Sequence, residues 1–224
     1  MTVKVEKYIL YGASFNPPHI GHFSAICQML EEYDKVIVFP YPKKYAEGKI
    51  ESLPPITQRM KMLEVFAIDF FPQMADRLIL INLAADMKQK DGVFHTYDYL
   101  HFVKNQLPPN AELSACLGFE SQNLSRREEF FNEEKIKQEF PHFYLVEENK
   151  IKSSELRDVF SNIKNVKSKK QEEYIRNIVG NALAEHIFMH NLYGIKNKNF
   201  KSKADNDEDA SSSSVPIKNR PRKI

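Results

Sequence analysis

Short apolar runs alternate along the chain with longer stretches whose apolar residues recur at three- and four-residue spacing. Val5–Tyr11, Lys35–Tyr41, Arg77–Leu83, Ala111–Leu117 and His142–Glu147 read as five strands. Their mostly apolar character suits strands covered on both faces. Helical spacing predicts helices over about 20–32, 56–70, 96–106, 126–138, Ser153–Ile163 and Gln171–His190. Gly12, Pro40 with Pro42, and Pro54-Pro55 punctuate the first half. This alternation predicts an α/β fold, a doubly wound parallel five-stranded sheet with right-handed crossovers. Ligands of such sheets bind beyond the carboxyl ends of the strands, where the strand order switches.

The pattern fails near residue 197. Residues 198–224 carry Asp-Asn-Asp-Glu-Asp, four consecutive serines and a basic end, with almost nothing apolar. Such a composition cannot offset the entropy of ordering. The expected organisation is one domain over 1–197 and a disordered charged tail over 198–224. The 224 residues are 42% hydrophobic, enough for a sizeable core, and carry a net charge of +2. So small a charge gives no field for nucleic acid or a membrane surface. No apolar run reaches membrane-span length. The two cysteines, Cys27 and Cys116, lie in apolar runs and read as buried thiols of a reducing compartment. The expectation is a soluble cytoplasmic protein, with homo-oligomerisation left open.

The stretch with most chemistry is Tyr8-Ile-Leu-Tyr-Gly12-Ala-Ser-Phe-Asn-Pro-Pro-His19-Ile-Gly-His22. A strand is expected to break at Gly12 into a loop stiffened by Pro17-Pro18. The loop opens a helix with His22 in its first turn. Residues three apart share a helix face, so His19 and His22 can converge on one anion. The helix N-terminus adds unpaired N–H groups and a partial positive charge. A second helix start, Ile151-Lys-Ser-Ser154-Glu-Leu-Arg157, carries hydroxyls and an arginine, with Ser153 or Ser154 as N-cap.

The first stretch resembles the G-x-[ST]-F-[DN]-P-x-H-x-G-H motif of the HxGH nucleotidyltransferases. It is most similar to nicotinate/nicotinamide mononucleotide adenylyltransferases. The second resembles that family's I-S-S-T-x-[IL]-R motif, with Ser154 in place of Thr and Lys152 in place of Ser. Arg59 falls where the family has an arginine in the helix after strand two. Lys90–Leu100, with Thr96 and Tyr97, resembles the segment that contacts the nicotinyl group. Leu117-Gly118-Phe119-Glu120 stands where the family has L-G-A-D, and His190-Asn-Leu-Tyr193 where it has H-G-L-Y. The chain has no tryptophan, so Phe130 or Phe131 would replace the family's pyridine-stacking Trp. The departures cluster on the mononucleotide side.

The resemblance implies attack by a pyridine mononucleotide's 5′-phosphate on the α-phosphorus of ATP, with release of pyrophosphate. A phosphate dianion needs no base, so catalysis would rest on positioning and charge neutralisation. His19, His22 and Arg157 are the expected catalytic groups, with His22 nearest the α-phosphate. Gly12, Ser14, Phe15, Gly118, Ser153 and Ser154 would complete the ATP site, with Ser154 and Arg157 on the β- and γ-phosphates. Asn16, Lys44, Arg59, Thr96, Tyr97, Glu120 and Phe130 would serve the mononucleotide. Mg²⁺ would be held mainly through the ATP phosphates, without dedicated protein ligands. Two other readings stay open: pantetheine-phosphate adenylyltransferase, and a non-catalytic nucleotide-binding or interaction protein on the same fold.

Overall fold

The computed structural model describes residues 5–42, 54–87, 95–117, 132–145, 153–162, 165–166 and 168–197. Its elements run β1 (Glu6–Ala13), α1 (Ile20–Glu32), β2 (Lys35–Pro40), α2 (Ile56–Phe70), β3 (Leu78–Leu80) and α3 (Leu83–Asp86). They continue with α4 (Thr96–Lys104), β4 (Ala111–Leu117), α5 (Glu133–Glu139), β5 (His142–Tyr144), α6 (Ser153–Asn162) and β6 (Asn165–Val166). Helices α7 (Lys169–Val179) and α8 (Asn181–Met189), a 3₁₀ turn at Leu192–Gly194 and β7 (Lys196–Asn197) complete it.

Five parallel strands form one sheet in the order β3-β2-β1-β4-β5. The order reverses at β1, so the switch lies between the carboxyl ends of β1 and β4. Alternate residues of β1 feed two cores. Ile9 and Tyr11 join Ile26, Met29, Leu63, Phe66 and Leu183 on one face, where α1, α2 and the C-terminal helices pack. Tyr8 and Leu10 join Tyr99, Leu100, Val103 and Ile136 on the other, where α4 and α5 pack. Burying both faces makes β1 and β2 read as unbroken apolar runs.

Several expectations change. Strand β1 does not break at Gly12 but continues to Ala13, with Gly12 opposite Phe39 and Ala13 opposite Pro40. Only three residues of the Arg77–Leu83 run pair as β3. Asn82 ends it, because its side chain accepts from Ala85 N at 3.3 Å and starts α3. The stretch 171–190 is two helices. Gly180, at φ 89°, serves as the C-cap of α7 and the N-cap of α8. A Cβ there would lie 2.5 Å from Asp69 Oδ2, the oxygen that accepts from Ala182 N at 2.6 Å. The break therefore lets Asp69 of α2 reach the start of α8. The parallel pairing of β6 with β7 has no sequence signal. Both cysteines are free, but only Cys116 is fully buried, and Cys27 is partly exposed. Among the described residues, no helix is long and apolar enough to cross a membrane.

Candidate active site

At the carboxyl end of β1 the chain turns through Ser14-Phe15-Asn16 and a cis Asn16–Pro17 bond into α1. Gly12 faces the α4 side. A Cβ there would lie 2.6 Å from Phe39 Cζ and 2.7 Å from Tyr41 Cζ. Its lack of a side chain makes room for those two rings, which meet edge to face at 5.2 Å. Gly12 thus sits in the strand ladder as a spacer, and the loop proper begins after it. Phe15 adopts φ 47°. This is the left-handed region, costly for a bulky residue unless the surroundings enforce it. Its ring is fully buried between Tyr11 (5.7 Å) and His22 (4.7 Å). The side chain of Phe15 therefore supports the histidines, and only its backbone can serve a ligand.

His19 is the N-cap of α1 and His22 stands three residues on. His19 Nδ1 accepts from Gly21 N at 3.1 Å, and His22 Nδ1 accepts from His19 N at 3.2 Å. This is a capping box made from two imidazoles, satisfying two of the orphan amides of the helix start. An accepting Nδ1 leaves the proton of a neutral imidazole on Nε2. Both rings are therefore fixed as Nε2–H donors, with centroids 3.9 Å apart. Burial depresses the His19 pKa to about 4. Burial, and then the His19 charge, holds His22 well below the ordinary histidine value. Both rings are neutral at pH 7 and still donate.

Three distant side chains hold the loop from behind. Arg59 of α2 donates from Nη1 to Ser14 O at 2.9 Å and from Nε to Pro54 O at 3.1 Å. Arg157 of α6 donates from Nη1 to Asn16 O at 2.8 Å. The Tyr193 hydroxyl meets Asn16 Oδ1 at 2.7 Å and lies 3.6 Å from Met62 Sδ. Burial lowers the pKa of Arg59 to about 10 and also lowers that of Arg157, so both stay charged. Arg157 is thus brought to the histidine loop from 141 residues away, as the paired motifs require.

Two residues expected to serve the mononucleotide have partners within the protein. Arg59 is only 1% exposed and spends its fork on two backbone carbonyls. In this position it buttresses the loop. The sequence carried the signal, because Arg59, Met62, Leu63 and Phe66 follow i, i+3, i+4, i+7 and are the buried residues of α2. The Tyr97 hydroxyl donates to Glu139 Oε1 at 2.7 Å, and its ring lies against His101. That hydroxyl is committed to α5. Thr96, the first residue of α4, hydrogen-bonds Tyr41, whose pKa rises to about 12, chiefly through burial. Asn16 is fully buried. Ser153 and Ser154 are the first two residues of α6. Lys44, Gly118, Glu120 and Phe130 lie outside the described residues. Tyr41 and Tyr193 had no assigned role in the sequence, because their partners are remote in it.

The buried neutral histidines have a consequence for stability. An unfolded histidine titrates near 6.5. Stability from keeping these rings neutral is complete above that pH and is lost as pH falls from about 6.5 toward 4. His19 alone should cost about 1–2 kcal/mol between pH 7 and pH 5, and His22 adds a loss of the same sign. Melting curves at the two pH values check this. His22→Asn, whose Oδ1 can still accept from His19 N, is expected to lose less on acidification than wild type. Equal losses would show that His22 is not held neutral.

Known proteins share this architecture. A Chloroherpeton thalassium protein assigned as a nicotinate-nucleotide adenylyltransferase is 25% identical over 132 residues, 58% of this chain and 62% of that protein. The match thus spans less than two thirds of that relative's length. A Vibrio parahaemolyticus structure assigned to the same activity superposes with a TM-score of 0.64 at 19% identity, covering 85% of this chain and 96% of that one. The Plasmodium falciparum nicotinic acid mononucleotide adenylyltransferase complexed with NaAD gives 0.58 at 17% identity, covering 84% and 97%. These two likenesses establish the parallel α/β fold. The family model for cytidylyltransferase-like proteins matches residues 10–215, nearly the whole chain, and the protein belongs to that family.

Proposed function

We propose that the protein transfers AMP from ATP to nicotinate mononucleotide, forming the dinucleotide and releasing pyrophosphate. The observation that carries this reading is the pair of neutral imidazoles, each with Nδ1 engaged and Nε2–H left to donate, at the start of α1. The site is built for an anion. Its cations and donors are His19, His22, Arg157 and the first amides of α1, and among the described residues no group of three or more His, Cys, Asp or Glu could hold a metal ion. Mg²⁺ would be carried mainly by the ATP phosphates, neutralising part of their charge.

In the transfer, a 5′-phosphate oxygen of the mononucleotide forms a bond to the α-phosphorus, and the bond from that phosphorus to the bridging oxygen breaks. The electron pair leaves with pyrophosphate. No proton need move at the nucleophile, which is already an anion. His22 Nε2–H would donate to a non-bridging α-phosphate oxygen as the equatorial oxygens gather charge, and His19 would hold the adjoining phosphate. Arg157, with one nitrogen on Asn16 O, has further N–H groups for the leaving pyrophosphate. Because the imidazoles start neutral, ATP does not have to displace their bound anions or water-stabilised charge. An arriving triphosphate raises their proton affinity at the point where charge accumulates.

The acid is chosen over the amide because the relatives named above carry nicotinate or nicotinic acid in their names. The test is purified full-length chain with ATP and Mg²⁺ against nicotinate mononucleotide, nicotinamide mononucleotide and 4′-phosphopantetheine, scored by pyrophosphate release and product mass. A higher kcat/KM for nicotinate mononucleotide than for the other two is expected. A ratio at or below one against the amide overturns the acceptor. Turnover of 4′-phosphopantetheine alone, or of none, overturns the function.

A further inference from the structure

The C-terminal end of α8 carries two histidines to which the transfer chemistry gives no task. His186 and His190 stand four residues apart, and His190 N donates to His186 O at 3.1 Å, so the helical turn between them is closed. Residues at that spacing share a helix face. Their ring centroids lie 4.4 Å apart, with the planes inclined at 55°. His186 is half-buried and His190 exposed, so the pair opens to solvent. Among the described residues, no hydrogen bond or ion pair engages either imidazole. Burial, then the charges of His190 and Lys61, lower the His186 pKa, which leaves its ring neutral at pH 7 with a lone pair to give. The carboxyl end of a helix carries a partial negative charge that favours a cation. Lys61 of α2 opposes one, but its ammonium is paired with Glu64 Oε2 at 3.2 Å.

We propose that His186 and His190 form a two-imidazole chelate for a divalent transition-metal ion of the nickel, copper and zinc class, with water filling the remaining positions. Two imidazoles one helical turn apart are the ligand pair of helix-borne zinc sites, and imidazole is a donor that suits these ions. Metal–nitrogen bonds of about 2.0–2.1 Å put two ligating nitrogens roughly 3–3.5 Å apart. Rings with centroids 4.4 Å apart reach that separation by turning about their side-chain bonds. Mg²⁺ takes oxygen ligands, so this pair does not compete for the Mg²⁺ of the nucleotide. The inference does not depend on the nucleotide-transfer reading.

The experiment is calorimetric titration of NiCl₂ near neutral pH into the untagged full-length chain, wild type beside His190→Ala, His186→Gln and the double variant, with MgCl₂ as a second titrant. Nickel is the probe because it does not oxidise Cys27, which is partly exposed. Wild type is expected to bind Ni²⁺ about tenfold or more tightly than either single variant, because the second imidazole of a chelate binds as an intramolecular partner. The loss in the double variant should fall well short of the product of the two single losses, because either substitution already breaks the chelate. Circular dichroism checks that the variants fold. Should His186→Gln not fold, His190→Ala decides alone, since its side chain is exposed. A smaller difference between wild type and His190→Ala overturns the proposal, because a single imidazole would account for it. Single losses that multiply in the double variant overturn it as well, and so does Mg²⁺ binding as tight as that of Ni²⁺.

Discussion

His22→Ala is expected to lower kcat for adenylyl transfer about 100- to 1000-fold, the usual cost of removing one donor aimed at developing charge. His22 has two separable jobs. Its Nδ1 accepts from His19 N at 3.2 Å and closes the capping box whose N-cap is His19. Its Nε2–H is the donor offered to the α-phosphate. Loss of the cap alone costs about 1 kcal/mol, which for a domain of this size lowers the melting temperature by roughly 2–4 °C. Against a total stability of about 5–15 kcal/mol that leaves almost all of the protein folded. A fall in kcat of two orders or more at saturating ATP therefore cannot come from unfolding. His22→Asn separates the jobs further, because its Oδ1 stands where Nδ1 stood and can accept from His19 N, but it cannot place a donor where Nε2 stood. It should melt near wild type and still be slow. Retention of more than a tenth of the wild-type kcat by either variant would remove His22 from the chemistry.

The strong periodicities were legible in the chain. The bounds of α1, α2 and β4 follow from their apolar spacing, because each buries one continuous stripe or run against a core. The histidine loop was legible because its function is local: His19 and His22 cap and stack within one helical turn. What resisted reading was contact across sequence. The apolar run around Leu80 does not say that Asn82 will cap a new helix. Nor does Gly180 announce that it makes room for Asp69, far upstream in α2. The three clamps on Ser14 and Asn16 come from residues 45, 141 and 177 positions away. Motif spacing names Arg157 as a partner of the histidine loop. It does not distinguish a guanidinium that binds substrate from one that binds the loop.

Arg59 is where that distinction is sharpest. Its guanidinium sits in the core side of the site with two carbonyls as partners and, among the described residues, no carboxylate. Burying a cation this way is costly, and the strength of charge-assisted bonds to Ser14 O and Pro54 O offsets it. Arg59→Ala abolishes the desolvation cost. It also strands two carbonyls and leaves a cavity the length of an arginine stem on the buried face of α2 that also carries Met62, Leu63 and Phe66. The net loss is expected to be about 3 kcal/mol, a drop in melting temperature of roughly 6–12 °C. Activity should fall with it, because Ser14 is then free to move away from Phe15, whose left-handed backbone depends on its surroundings. Arg59→Lys discriminates between the two roles. Lysine keeps the charge but offers a point donor in place of a fork, so it cannot reach Ser14 O and Pro54 O together. If Arg59 is a buttress, the lysine variant is expected to lose most of the stability that the alanine variant loses, with KM for the mononucleotide nearly unchanged in the folded protein. If Arg59 gathers the mononucleotide phosphate, charge alone suffices. The lysine variant would then keep its KM, whereas Arg59→Ala would melt within about 2 °C of wild type with KM raised. Melting curves and mononucleotide titrations on both variants decide between them.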